Sequence, residues 1–89
     1  MAADLNALTK QLRIESRRLS NLGLTDEAAA FKARAIAIQG TKPKLRARDI
    51  IQLLDELRFQ GNKLEFLKAC GYDPNKDSII RVLQAEKLL

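Results

Sequence analysis

A chain of 89 residues is long enough for one folded domain but too short for two, and the small core of such a domain leaves a narrow margin of stability. It contains one cysteine, Cys70, and no histidine, which excludes a disulfide within the chain and predicts neither a metal site nor a cofactor. The net charge of +5 is uneven: residues 1–48 hold ten basic and four acidic residues, whereas residues 49–89 hold six and seven. The net positive charge is therefore concentrated in the N-terminal half.

Hydropathy and cysteine usage predict the location of the protein. No apolar run is long enough to span a bilayer, and the first residues, M-A-A-D-L-N, lack the basic start and apolar stretch of a secretory signal. A single thiol fits a reducing compartment. The sequence therefore predicts a soluble, cytoplasmic protein without a membrane partner.

The first predicted helix lies between Asp4, a suitable cap, and Gly23, a suitable stop. Its apolar residues recur at intervals of three and four and form a leucine seam: Leu5, Leu8, Leu12, Leu19 and Leu22. Its polar face collects four basic residues: Lys10, Arg13, Arg17 and Arg18. The pattern predicts an amphipathic helix of about 18 residues, with a basic ridge opposite its seam.

The second predicted helix begins with Thr25 as its N-cap and ends at Gly40. Its apolar positions, again three or four apart, are Ala28, Phe31, Ala35 and Ile38. Six alanines between positions 28 and 37 predict close approach to a neighbouring helix. Because the connection from Gly23 is short, residues 1–40 are predicted to form an antiparallel helical hairpin.

Residues 41–48 form a predicted basic linker around Pro43, in which every second residue is basic: Lys42, Lys44, Arg46 and Arg48. In an extended chain alternate side chains project to the same side, so the first three of these would be able to follow a phosphate backbone. The alternative is a solvated loop at the entrance to the next helix.

The C-terminal part, residues 49–89, is also predicted to be helical. A third helix runs from about Leu45 to near Gly61, and a short fourth helix follows the capping pair Asn62 and Glu65. The fourth helix ends at Gly71.

A last helix is predicted to open at Asp73 and Pro74. Its predicted buried side has the members Ile79, Ile80, Val82, Leu83 and Leu88. No segment alternates with a two-residue period, so no sheet is expected. The sequence predicts a single all-α domain over residues 1–89, a compact bundle of four to five helices whose core includes Phe31, Ile51, Leu54, Leu67 and Ile80.

Catalysis is not predicted. The chain lacks histidine and both common glycine-rich nucleotide loops, and no base is spaced to activate Cys70. The setting of Cys70, A-C-G-Y at a predicted helix end, is typical of a small buried core residue. The sequence predicts a non-enzymatic binding or regulatory protein.

Nucleic-acid binding, to DNA in preference to RNA, is the function that the charge distribution favours. The predicted contact residues are Lys10, Arg13, Arg17, Arg18, Lys42, Lys44, Arg46 and Arg48. A second hypothesis makes the last two helices a helix-turn-helix that enters the major groove. The residues it would present to DNA are Asn75, Lys76, Ser78, Arg81 and Gln84. The alternative for this segment is a plain helical corner.

Protein binding is the alternative function. A small basic helical module suits an adaptor or inhibitor, including the phage-borne kind, that binds an acidic protein surface. The leucine seam of the first helix is also long enough to pair with a second copy, which would make a homodimer. The competing interpretation of the seam is that it forms the inside of the bundle.

Overall fold

The first helix, α1, spans Leu5–Asn21 in the computed structural model, which describes residues 3–89. The Asp4 carboxylate caps it as predicted, accepting the backbone N–H groups of Asn6 and Ala7 at 2.9 and 3.3 Å. Beyond the helix, Gly23 has a φ of 80°, which a glycine adopts without steric cost.

The leucine seam of α1 forms part of the core. Leu8, Leu12 and Leu19 are buried, so these leucines are covered within the chain and do not offer a surface to a second copy. The seam is shorter than predicted, because α1 ends at Asn21 and leaves Leu22 62% exposed in the turn.

The second helix, α2, spans Thr25–Thr41 and packs against α1 as the predicted antiparallel hairpin. The Ser16 hydroxyl joins the two helices by donating to the Ala28 carbonyl at 2.7 Å. Both predicted ends were wrong. Thr25 is already helical, and the helix continues past Gly40 until Lys42 turns left-handed, with φ 48°, directly before Pro43.

The alanines of α2 divide into two groups. Ala28 and Ala35 are buried in the hydrophobic core, as the prediction of close helix approach requires. The remaining four are exposed to solvent: Ala29, Ala30, Ala33 and Ala37. The prediction is therefore correct for two of the six.

The third helix, α3, spans Ala47–Glu56, so the non-helical linker covers residues 42–46 and is shorter than the predicted 41–48. At the start of α3 the Asp49 carboxylate accepts the Arg46 backbone N–H at 2.9 Å. At its end Arg58 is left-handed, and the Phe59 N–H bonds the Leu54 carbonyl at 2.9 Å. This turn ends the helix well before Gly61, where the sequence predicted the end.

The fourth helix, α4, spans Lys63–Ala69 and has the predicted boundaries. The Asn62 side chain accepts the Glu65 N–H at 3.0 Å, and Gly71, with φ 103°, closes the C-terminal end.

The fifth helix, α5, spans Ser78–Ala85 and begins later than predicted. The backbone N–H of Asp73 donates to the Asp77 carboxylate at 2.7 Å, and Asp77 N–H bonds the Asp73 carbonyl at 2.7 Å, so Asp73 and Pro74 enter a closed turn instead of a helix. Ile80 and Leu83 are buried, whereas Val82, which the sequence assigned to the core side, is 44% exposed.

Residues 3–89 contain these five helices and no strand, so the prediction of an all-α bundle is confirmed. The bundle measures 36 × 25 × 18 Å and holds one hydrophobic core. The five residues predicted to be buried are at most 2% exposed: Phe31, Ile51, Leu54, Leu67 and Ile80. Among the described residues, no helix has the length and apolar character needed to cross a bilayer.

Candidate functional site

One face of α1 is basic and open to solvent. Lys10, Arg13, Arg17 and Arg18 are all exposed and line one open groove of about 710 Å³. Their spacing brings them to neighbouring positions on the helix surface. Ile14 lies in the same groove and is 51% exposed. Four of the eight predicted contact residues therefore share one surface.

Two of these arginines have partners. The Arg18 guanidinium pairs with the Glu15 carboxylate at 2.5 Å, and this hydrogen-bonded pair raises the pKa of Arg18 above its usual value. Arg13 donates from Nη2 to Oε1 of Gln39 on α2 at 2.7 Å. Because the Gln39 amide is neutral, this bond orients the Arg13 guanidinium without cancelling its charge.

A second cleft, of about 480 Å³, lies between α1 and α2. Arg13 and Arg17 line it from α1, and Lys32 lines it from α2. Lys32 was not among the predicted contact residues. Its position one residue after the buried Phe31 placed it near the edge of the helix, but the register of the hairpin was needed to set it opposite the two arginines.

Lys42 extends the same surface toward the beginning of α1. It lines a third cleft together with Leu5, Asn6 and Gln39. Asn6 and Gln39 also line the groove of α1, so the two depressions adjoin each other. Lys42 reaches this place because the antiparallel hairpin puts the end of α2 beside the start of α1.

The other three predicted linker residues do not line these clefts. Lys44 and Arg46 are exposed, because the intervening Leu45 turns inward and its carbonyl accepts the Ala3 N–H at 2.7 Å. Within residues 3–89 neither of these two basic side chains has a carboxylate partner.

Arg48 differs from the rest of the linker residues, since it belongs to the first turn of α3. Its guanidinium pairs with the Glu86 carboxylate beyond α5, with distances of 2.5 and 3.3 Å between the bonded atoms. The hydrogen bond lowers the pKa of Glu86 below its usual value and raises that of Arg48. The charge of Arg48 is thereby balanced within the chain.

We call the surface made by these adjoining depressions the basic face. Its basic members are Lys10, Arg13, Arg17, Arg18, Lys32 and Lys42. No aspartate or glutamate of the described chain lines any of the three depressions, and Arg18 alone of the six has a carboxylate partner there. Five of the six positive charges of the face therefore have no carboxylate partner among the described residues.

The C-terminal helices do not form a compact helix-turn-helix. The segment between α4 and α5 has eight residues, Cys70 to Asp77, where that motif uses three or four. In addition, the backbone of α5 approaches that of α3 closely and does not come as near to that of α4. The residues that this hypothesis assigned to DNA are exposed at the surface of the turn and of α5: Asn75, Lys76, Ser78, Arg81 and Gln84.

Cys70 lies at the end of α4 and is 2% exposed. Burial, with a smaller contribution from the charge of Asp4, raises the pKa of the thiol from 9.0 to about 12. The reactive form of cysteine is the thiolate, so the structure gives this residue the properties of a packed core side chain.

Thiol labelling tests this description of Cys70. At neutral pH we expect a maleimide reagent to label the native protein slowly and the urea-denatured protein rapidly, because burial covers the thiol and, by raising its pKa, lowers the thiolate population. Cys70→Ala should keep any nucleic-acid binding of the wild type. Rapid native labelling together with loss of binding in Cys70→Ala would contradict this expectation.

The described residues contain no cluster of three cysteine or carboxylate side chains able to hold a metal ion. Comparison of the chain with protein-family models, curated proteins and solved structures finds no match.

Proposed function

We propose that this protein is a small non-enzymatic binding module that contacts nucleic acid through its basic face and through Lys44 and Arg46 of the linker. The observation that supports this is the gathering of basic residues from α1, α2 and the linker around adjoining depressions that no carboxylate lines. Phosphates are the ligands that such a surface attracts, because each neutralised phosphate releases a condensed counterion. The lone buried thiol is compatible with a cytoplasmic location, which is part of the proposal.

The aromatic residues favour duplex DNA over single strands and RNA loops. Proteins that bind unstacked bases offer exposed aromatic rings on which the bases stack. The chain has four aromatic residues, of which Phe31, Phe66 and Tyr72 are buried. The fourth, Phe59, packs edge-on against the first two rings, with ring centroids 6.4 and 5.3 Å apart. A surface with charge but no stacking platform is suited to the backbone of a duplex, which is read without regard to sequence.

A salt titration tests this function. We expect fluorescence anisotropy to detect binding to a generic duplex of about 20 base pairs at about 50 mM salt, with the logarithm of the association constant falling linearly against the logarithm of salt concentration. Three to seven neutralised phosphates correspond to a slope of about −3 to −6. A single strand of the same sequence should bind more weakly. Failure of the wild type to bind either ligand at low salt would overturn the proposal.

An acidic protein surface is the second candidate partner, and Ile14 is the observation that favours it. This side chain is half exposed within the basic groove of α1, and protein interfaces commonly combine an apolar centre with a charged rim. Ile14→Ser separates the two functions, because it should leave affinity for the duplex within about twofold while weakening an interface that buries the side chain.

A further inference from the structure

The cleft between α1 and α2 brings three positive charges to one place. Arg13 and Arg17 lie one turn apart on α1, and Lys32 lies on α2 across from them. All three side chains are exposed, and none has a carboxylate partner among residues 3–89. Like charges repel, so this arrangement becomes favourable when an anion occupies the space between them.

The remaining lining of the cleft is polar or small. The Ser16 hydroxyl is already used, because it donates to the Ala28 carbonyl. The hydroxyls of Ser20 and Thr25 make no hydrogen bond within the described chain and are able to donate to a ligand. Ala29 leaves room at the side of α2.

These features match the chemistry of a phosphodiester. Arginine presents a planar fork of N–H groups that bonds two phosphate oxygens at once, whereas lysine supplies a compact charge. Arg13 donates from Nη2 to Gln39, which lines the adjoining depressions and not this cleft, so its other guanidinium N–H groups remain for a ligand. A volume of about 480 Å³ admits a phosphate with its neighbouring sugars.

We propose that one backbone phosphate of the bound nucleic acid lies in this cleft, between Arg13, Arg17 and Lys32. The inference rests on the proposed function and assigns to Lys32 a contact that the sequence pattern did not reveal. It makes the cleft a single phosphate subsite that both helices of the hairpin build. Arg17 and Lys32 therefore act on the same phosphate and not on two separate ones.

A double-mutant cycle on duplex binding tests the shared phosphate. We expect Arg17→Gln and Lys32→Gln each to weaken binding about threefold to tenfold at about 100 mM salt. Lys87→Gln, which removes the same charge from an exposed position beyond α5 that neither predicted contact set includes, should weaken it by no more than about twofold. If the two residues acted independently, the double variant of Arg17 and Lys32 would lose affinity by the product of the two single losses. We expect a loss at least about threefold smaller than that product, because residues that hold one group are coupled.

An inserted negative charge provides a second test with a matched control. Ala29→Glu places a carboxylate in the cleft, whereas Ala33→Glu places one on an exposed position of α2 one turn away that does not line the cleft. Both changes alter the net charge equally and keep a good helix former. Ala29→Glu should weaken duplex binding at least about fivefold more than Ala33→Glu, with unchanged helicity by circular dichroism.

The outcomes separate the subsite from the function. If the wild type binds the duplex but Lys32→Gln behaves like Lys87→Gln, or the Arg17 and Lys32 losses multiply independently, or Ala29→Glu equals Ala33→Glu, the subsite is wrong and the general function stands. If the wild type does not bind the duplex at all, both fail.

Discussion

Leu54→Ala should lower the free energy of unfolding by about 2 to 5 kcal/mol, a large share of the roughly 5 to 10 kcal/mol expected for a domain of this size. Leu54 is fully buried on α3, so truncation removes apolar packing and leaves a cavity that its neighbours fill only in part. Urea denaturation followed by circular dichroism measures the loss, and the melting temperature should fall by at least about 8 °C.

Two control variants define the cause of that loss. Leu22→Ala makes the same chemical change at a residue that is 62% exposed, and it should alter stability by no more than about 0.5 kcal/mol. Leu54→Met keeps the side-chain volume and should cost less than about 1.5 kcal/mol. Equal destabilisation by Leu54→Ala and Leu22→Ala would mean that α3 presents a different face to the core.

The fold was predictable where a local signal coincides with the final structure. Asp4, Asn62 and Gly71 set helix ends because their side chains, or the lack of one, satisfy the backbone at those positions. The ends of α2 and α3 were not predictable in this way. Lys42 and Arg58 adopt a left-handed backbone conformation there, and neither residue type favours that conformation as glycine does. The packing of the following segment selects it.

The start of α5 shows a different limit. Asp73 and Pro74 carry a strong helix-opening signal, and the Asp73 carboxylate does accept the Asn75 N–H at 2.8 Å. The Asp77 carboxylate, however, accepts the Asp73 N–H, and the segment closes as a single turn. Asp77 precedes α5 without a side-chain capping bond to it, so the start of that helix depends on tertiary packing, in which Ile80 and Leu83 must reach the core.

The candidate site was predictable to the extent that it lies on one helix. Periodicity alone brings Lys10, Arg13 and Arg17 to one face of α1. The position of Lys32 opposite them depends on the register of two packed helices. The pairing of Arg48 depends on Glu86, which lies 38 residues away in the chain. Neither relation leaves a local trace in the sequence.

We expect a smaller salt dependence of duplex binding when Lys42, Lys44 and Arg46 are changed together to Gln. The slope of the logarithm of the association constant against the logarithm of salt concentration should become less negative by up to about 2.7, which is about 0.9 for each phosphate that is no longer neutralised. Binding should weaken equally on every DNA sequence, because phosphates carry no sequence information. Arg48→Gln should change the slope little, since the Glu86 carboxylate already balances the Arg48 guanidinium. Its effect on stability should also be small, because exposed ion pairs contribute at most about 1 kcal/mol.

The C-terminal helices α4 and α5 supply the opposing prediction. If the helices near the C-terminus read DNA, Arg81→Ala and Gln84→Ala should cost about 1 to 3 kcal/mol on a preferred site and relax its specificity, while the linker variant keeps its sequence preference. We expect the reverse, because α4 and α5 lack the compact turn that positions a recognition helix. If neither set of changes alters duplex binding, the proposals of DNA contact through the linker and through the C-terminal helices are both wrong. A partner protein with an acidic surface, captured by the wild type but not by the linker variant, would then account for the same charges.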